Sequence, residues 1–444
     1  MQDENVTPRF HSPWRAPVKS AQAVEILGDI VERLHSPETL QESIHLSSRQ
    51  SRTTFYVQWN AASTAMGDAG LALLDSYLDA CFPEKGWDQA GHVNVLRAGQ
   101  EIQSPPYANP SLGGGLSGLA LAAGLLSRNG TRYQKMLASL DERILSLIQT
   151  RLQQMKPHQH GFSSSQFDVI AGLSGIGRYL LSRADIPEVK TVLDAITRQL
   201  IAMSSEEDGV PSWYVPPQLI MQEHWQPFYP VGLLDSGLAH GVAGPLALLA
   251  LVKLQGEGIE GIDVGIDRMA SWLSNHRCDD DWGINWGTAY PIKGEGLPPQ
   301  PSRCAWCYGS PGIARALWLA GEALNQNAYR DLAVQALEAV YSKPIPARQI
   351  DAPGLCHGVA GLLQITLRFA HDTHLPMFQE AAQALVGQLI TLYEPNSLLG
   401  YRDQEYENRL DRPDLLNGTI GVALAFIGAT QDKEPVWDSL LLLS

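Results

Sequence analysis

Apolar and polar positions along this chain fall into two alternating regimes. Runs such as Leu71-Ala-Leu-Leu, Leu119-Ala-Leu-Ala-Ala, Leu246-Ala-Leu-Leu-Ala-Leu and Ile313-Ala-Arg-Ala-Leu-Trp-Leu-Ala are rich in good helix formers and almost free of charge. A helix that is apolar all round belongs inside a core. Between them lie segments with apolar residues at three- and four-residue spacing and charges on the other face: 137–152, 189–203, 329–341 and 377–393. The alternation predicts one buried and one amphipathic helix per unit, an αα-hairpin repeat.

The repeat has a marker. A Gly-x-x-Gly element precedes each buried run: Gly67–Gly70, Gly115–Gly118, Gly172–Gly175, Gly241–Gly244, Gly309–Gly312, Gly358–Gly361 and Gly418–Gly421. Steps between the second glycines are 48, 57, 69, 68, 49 and 60 residues, so seven copies cover most of the 444-residue chain. Without a Cβ, glycine lets the chain enter a buried helix through a tight turn and approach its neighbour closely. An inner ring of buried helices inside a ring of amphipathic ones suggests a closed toroid, although periodicity alone does not separate a ring from an open solenoid. The two longest steps leave room for inserted loops at 208–230 and 278–302. Residues 1–50 are set apart as an N-terminal extension packed on a toroid formed by 51–444.

Chemistry concentrates in the two residues just before each marker. They are Ala65-Met66, Gly113-Gly114, Ile170-Ala171, Ala239-His240, Cys307-Tyr308, Cys356-His357 and Leu416-Asn417. Cys307, Cys356 and His357 thus occupy matched places in adjacent units. Two thiols and an imidazole suit Zn²⁺, and three protein ligands leave a fourth position for water or substrate, the catalytic pattern. Cys304-x-x-Cys307 also has zinc-type spacing, and adding Cys304 would make a closed Cys₃His structural site instead. His240, one unit before, is a candidate general acid or base or a hydrogen-bonded core histidine. Asp168, Arg303 and Tyr308 lie near the same level. His371 and His374 fall at the far end of a buried helix and read as surface residues; His158 and His160 fall in a polar loop.

Composition narrows the picture. The net charge of −15 argues against a nucleic-acid partner, which needs a basic face. Five cysteines in so long a chain, Cys81 and Cys278 without patterned neighbours, do not form a disulfide framework. With no apolar run behind the polar N-terminus and none long enough to span a bilayer, the chain reads as cytoplasmic. Carboxylate pairs do not recur at the repeat level, which disfavours glycoside chemistry.

The strings Leu238-Ala-His-Gly, Trp306-Cys-Tyr-Gly-Ser-Pro-Gly312, Cys356-His-Gly-Val-Ala-Gly361, Gly172-Leu-Ser-Gly-Ile-Gly177 and Leu415-Leu-Asn-Gly418 resemble the lanthionine synthetase C-like family, the lantibiotic cyclases. The resemblance spans about residues 110 to 430. It implies an all-α toroid of seven helical hairpins and one catalytic zinc held by Cys307, Cys356 and His357. The implied activity is addition of precursor-peptide cysteine thiols to dehydroalanine or dehydrobutyrine, with His240, Asp168, Arg303 and Tyr308 as functional positions. It further implies a dehydrated ribosomal peptide as substrate, with a separate dehydratase and a peptide exporter as partners, in a complex that could sit at the inner membrane face. Two rival functions fit the same residues: intermolecular addition of glutathione to dehydroamino acids, and a non-catalytic peptide-binding scaffold with structural zinc.

Overall fold

A computed structural model describes residues 13–52, 58–103, 107–155, 161–256 and 258–444; His158 and His160 lie outside them. Two helices come first, α1 (Ala21–His35) and α2 (Pro37–Gln50). The repeat then supplies helix pairs: α3 (Asp68–Cys81) with α4 (Trp87–Glu101), and α5 (Leu116–Leu125) with α6 (Gln134–Gln154). After a single turn, α7 (Ser164–Phe167), come α8 (Leu173–Leu181) with α9 (Pro187–Met203), and α10 (Ala243–Leu254) with α11 (Ile262–Asn275). The series ends with α12 (Ser310–Leu324) and α13 (Asn327–Ser342), α14 (Val359–Thr373) and α15 (Pro376–Leu392), and α16 (Thr419–Thr430).

The first helix of each pair follows its glycine marker and is buried along most of its length, as the uniformly apolar runs require. These inner helices contact one another in the order α3, α5, α8, α10, α12, α14, α16, and α16 returns to α3. The assembly is a closed α/α toroid. Its outer ring is α4, α6, α9, α11, α13 and α15, each buried on one face only. The seventh outer position is filled from the other end of the chain. After α16 comes only a short 3₁₀ turn, Val436–Leu441, and α1 packs its buried face against α16 and α15. Residues 1–50, set apart in the sequence reading, therefore include the helix that completes the seventh pair.

A ring of main-chain hydrogen bonds ties the seven turns together. Ala65 N–H donates to Gly113 C=O (2.8 Å) and Gly113 N–H to Ile170 C=O (2.9 Å). Val169 N–H donates to Ala239 C=O (3.1 Å), Ala239 N–H to Cys307 C=O (3.3 Å), and Cys307 N–H to Cys356 C=O (3.2 Å). Cys356 N–H then donates to Leu416 C=O (2.7 Å), and Leu415 N–H closes the circle on Ala65 C=O (3.0 Å). The second glycine of each marker explains how the turn folds so tightly. A Cβ there would meet the carbonyl oxygen six residues earlier at 1.9 to 2.9 Å, as at Gly361 beside Leu355 and Gly70 beside Thr64, so no larger residue fits.

The two long steps carry short strands. β1 (Glu206–Glu207) pairs with β2 (Val210–Pro211), and β3 (Leu233–Asp235) pairs antiparallel with β4 (Ala289–Pro291), with Leu234 opposite Tyr290. Val215, Ile220, Tyr229, Leu233 and Ala289 bury a small core of their own, so the segments at 208–230 and 278–302 are joined rather than separate loops. β5 (Asp403–Glu405) and β6 (Asn408–Leu410) form a hairpin between α15 and α16. Among the described residues no helix is long and apolar enough to cross a membrane.

The C-terminal segment fills the ring interior. Arg178 on α8, Arg315 on α12 and the indole of Trp306 donate to the carbonyls of Ser444 (2.7 Å), Leu443 (2.7 Å) and Leu441 (3.0 Å). Fully buried Asp438 accepts from Arg368 at 2.6 and 2.7 Å and from Gln364 at 2.7 Å, both on α14. Removing one partner of such a pair strands the other's charge in the interior. Asp438→Ala should destabilise the protein by about 3–5 kcal/mol, read as a lowered urea midpoint with unchanged slope, with Asp438→Asn falling between it and wild type.

Candidate functional site

The residue two before each marker lies on the hydrogen-bonded ring and carries the residue one before it, so equivalent residues of successive units become neighbours. Cys307 and Cys356 are bonded through their own main chains. Their sulfurs and a ring nitrogen of His357 all lie within 4.8 Å of one another, and among the described residues this is the group of donors able to hold a metal. Two sulfurs and an imidazole nitrogen, sunk in a protein wall, are the donor set that a borderline-soft ion such as Zn²⁺ takes in tetrahedral geometry. Electrostatics already favour a thiolate here. The Cys356 thiol hydrogen-bonds Cys307, and against the cost of burial His357 and the charge of Arg303 add to it, so Cys307 is held well below the usual thiol range. Cys356, donating that bond and buried beside the thiolate, is pushed well up. Burial alone would lower His357, but its hydrogen bond to Cys307, the charge on that sulfur and the Asp403 carboxylate together raise it.

Cys304 is not in the cluster. It sits five residues before Gly309, off the ring level, where its main-chain N–H donates to Arg348 C=O at 2.9 Å. Burial pushes its thiol up to about 11. The closed four-ligand arrangement is therefore not what the fold assembles.

His240 stands one unit away. Its Nδ1 is 2.7 Å from Asp168 Oδ2, while Asp168 Oδ1 accepts the N–H groups of Ala171 and Gly172, both at 2.7 Å. The second role is a repeat feature. Four residues before the marker, Ser63, Ser111 and Asp414 likewise accept an N–H from the turn that follows. Asp168 differs in having a second oxygen left for the imidazole. Burial opposes a charge on His240, but the Asp168 hydrogen bond and carboxylate, with Asp235 and Cys307 behind them, raise its pKa above the ordinary histidine value. Since Asp168 takes Nδ1–H, Nε2 is the nitrogen able to exchange a proton.

Tyr308 follows Cys307 in the chain, and its ring lies 6.4 Å from the His240 imidazole. Its hydroxyl donates to Asp235 Oδ2 at 3.2 Å, and burial beside that carboxylate drives the phenol well above its usual range. Burial pushes Asp235 itself up to about 6. Arg303 is exposed on the wall of a 950 Å³ cavity that it shares with His357, Asp403 and Asn417. His371 packs against Trp14 at the far end of α14, and His374 is exposed.

Sequence reasoning gave no role to three neighbours. Asp235 lies six residues before its marker, at the repeat position that Arg303 and Arg412 occupy in other units, which was a usable signal. Asn417 shares the position of His240, Tyr308 and His357. Asp403 comes from the β5–β6 hairpin, outside the repeat, and no periodicity could have found it.

Comparison with known proteins agrees with this architecture. Nisin biosynthesis protein NisC of Lactococcus lactis subsp. lactis is 29% identical over 264 residues, spanning 58% of this chain and 62% of that relative's length. The solved structure of a nisin cyclase superposes with a TM-score of 0.74 at 22% identity, covering 91% of this chain and 97% of that one. Residues 58–442 match the family described as Lanthionine synthetase C-like protein. With that match over most of its length, this chain belongs to the lanthionine synthetase C-like family.

Proposed function

We propose that this protein is a zinc-dependent lanthipeptide cyclase that joins cysteine thiols of a dehydrated precursor peptide to its dehydroalanine or dehydrobutyrine residues. The observation that carries the reading is the pairing, on one ring level, of a Cys307–Cys356–His357 cluster with an Asp168-oriented His240. Zn²⁺, when held by those three residues, favours the thiolate of an incoming cysteine, a thiol only a few per cent ionised at neutral pH. Bond making then follows from the positions of the side chains. The peptide sulfur attacks the β-carbon, the electron pair of the double bond moves onto the neighbouring carbonyl as an enolate, and the α-carbon takes up a proton. His240 delivers that proton from Nε2, and Asp168 fixes the ring for it. Tyr308, anchored to Asp235, lies beside His240, and the exposed guanidinium of Arg303 faces the cavity. The proton lost by sulfur is balanced by the one gained at carbon, so mass is conserved.

The same reading assigns dehydration to a separate enzyme and export to a transporter, and places the cyclase in the cytoplasm, in a complex at the inner face of the membrane. Trapping of free thiols by an alkylating reagent, followed by mass spectrometry of a dehydrated peptide incubated with the zinc-loaded protein, tests it. Protected cysteines at unchanged peptide mass support cyclisation. A mass gain on added glutathione, or cysteines that stay reactive, would overturn it.

Cys307→Ala and Cys356→Ala should each lose bound zinc, measured by elemental analysis, together with ring formation. His240→Ala should retain zinc and lose about 10²–10⁴-fold in rate. The pH profile follows from the raised pKa of His240. Its acid form donates the proton, so the rate falls as pH rises through that pKa. Asp168→Asn, removing the carboxylate that raises it, should move this alkaline limb to lower pH, checked by rate–pH profiles of the two proteins.

A further inference from the structure

The cavity beside His357 has an unbalanced wall. Asn417 and Asp403 both line it, and each is only 5% exposed. Asn417 Oδ1 and Asp403 Oδ1 are buried without a hydrogen-bond partner, although Asp403 Oδ2 pairs with Arg412 Nε at 3.1 Å. A buried acceptor left unmade costs about 1–3 kcal/mol. Two such acceptors border the one cavity, which the guanidinium of Arg303 also lines without bonding either of them. Asn417 also holds a defined place on the ring: Cys356 N–H donates to the carbonyl of Leu416, the residue before it, so its unit flanks the cysteine–histidine cluster on the side away from His240.

We propose that Asn417, with Asp403, forms a subsite that accepts a main-chain N–H of the thiol-bearing residue of the substrate. The proposal rests on the thiol-binding reading above and assigns the two flanks of the cluster to the two halves of the reaction. His240 serves the unsaturated residue, and Asn417 holds the backbone of the cysteine. A carboxamide suits the task because it accepts an amide hydrogen without adding a charge. Rotation about its soft Cβ–Cγ bond turns the oxygen toward the cavity it already borders. Asn417 is thus a positioning residue, acting on where the sulfur is presented.

The subsite predicts that the protein recognises a thiol by the amide attached to it. Titration calorimetry of the zinc-loaded full chain with N-acetylcysteine N-methylamide, and with the analogue whose main-chain N–H groups are replaced by ester oxygens, reads this directly. Wild type should bind the amide about fivefold to tenfold more tightly, the worth of about one neutral hydrogen bond. Asn417→Leu should bring the two affinities together by weakening only the amide, with ester affinity and zinc content unchanged. Asn417→Asp, which keeps an acceptor oxygen, should restore the preference. Equal wild-type affinities, as an ordered water filling the site would give, overturn the subsite while leaving the thiol-binding reading intact. Binding of neither thiol by wild type overturns that reading, and the subsite falls with it.

Discussion

Close approach of seven turns, each hydrogen-bonded to the next through its main chain, is the constraint on which this structure depends. A peptide N–H in one unit reaches the carbonyl of its neighbour only if nothing projects between turn and helix, and glycine meets that condition at every marker. Once the circle closes, the residue two before each marker is locked in register with its equivalents. Cys307 and Cys356, 49 positions apart in the chain, are then adjacent by construction. The inner helices follow from the same geometry. They start at the turns and are buried along most of their length, and two of them, α5 and α16, carry no charged residue at all.

Charge is admitted to the interior only where a partner has been built for it. In the ring centre, Asp438 and the main-chain carbonyls of Leu443 and Ser444 receive the guanidinium groups that project from three inner helices, Arg368, Arg315 and Arg178. At the ring level, Asp168 does two things with its two oxygens, stapling its own turn and holding His240. Buried ions without such partners would neutralise rather than persist. Cys307 follows the same rule, since its thiolate is favoured by donors from Cys356 and His357.

Around the ring the chemical groups run in sequence: the acid–base histidine, the tyrosine with its aspartate, the sulfur–imidazole cluster, and then the carboxamide. Each unit contributes one step at the same height, while loops and the β5–β6 hairpin shape the cavity beside them. A repeat that gives seven equal positions has thus been specialised at four of them, with the other three left small or apolar.

The sequence by itself determined the helical class, the seven units and the identity of the cluster, because glycine markers and apolar runs are local signals with a fixed period. It also put Cys307, Cys356, His357 and His240 on one level, since register along a repeat becomes height in the fold. Only the tertiary structure decided that the ring closes, that α1 is drawn from the far end of the chain to pair with α16, and that Cys304 is excluded from the cluster. The same holds for the partners of the site. Asp168 could be read as near His240, but that one of its oxygens is spoken for by the turn and the other is free for the imidazole is a matter of atoms. Asp403 reaches the cavity from a hairpin that obeys no repeat. Periodicity encodes which residues share a level; contacts made across the ring, and insertions from outside it, are fixed by packing and leave no period to read.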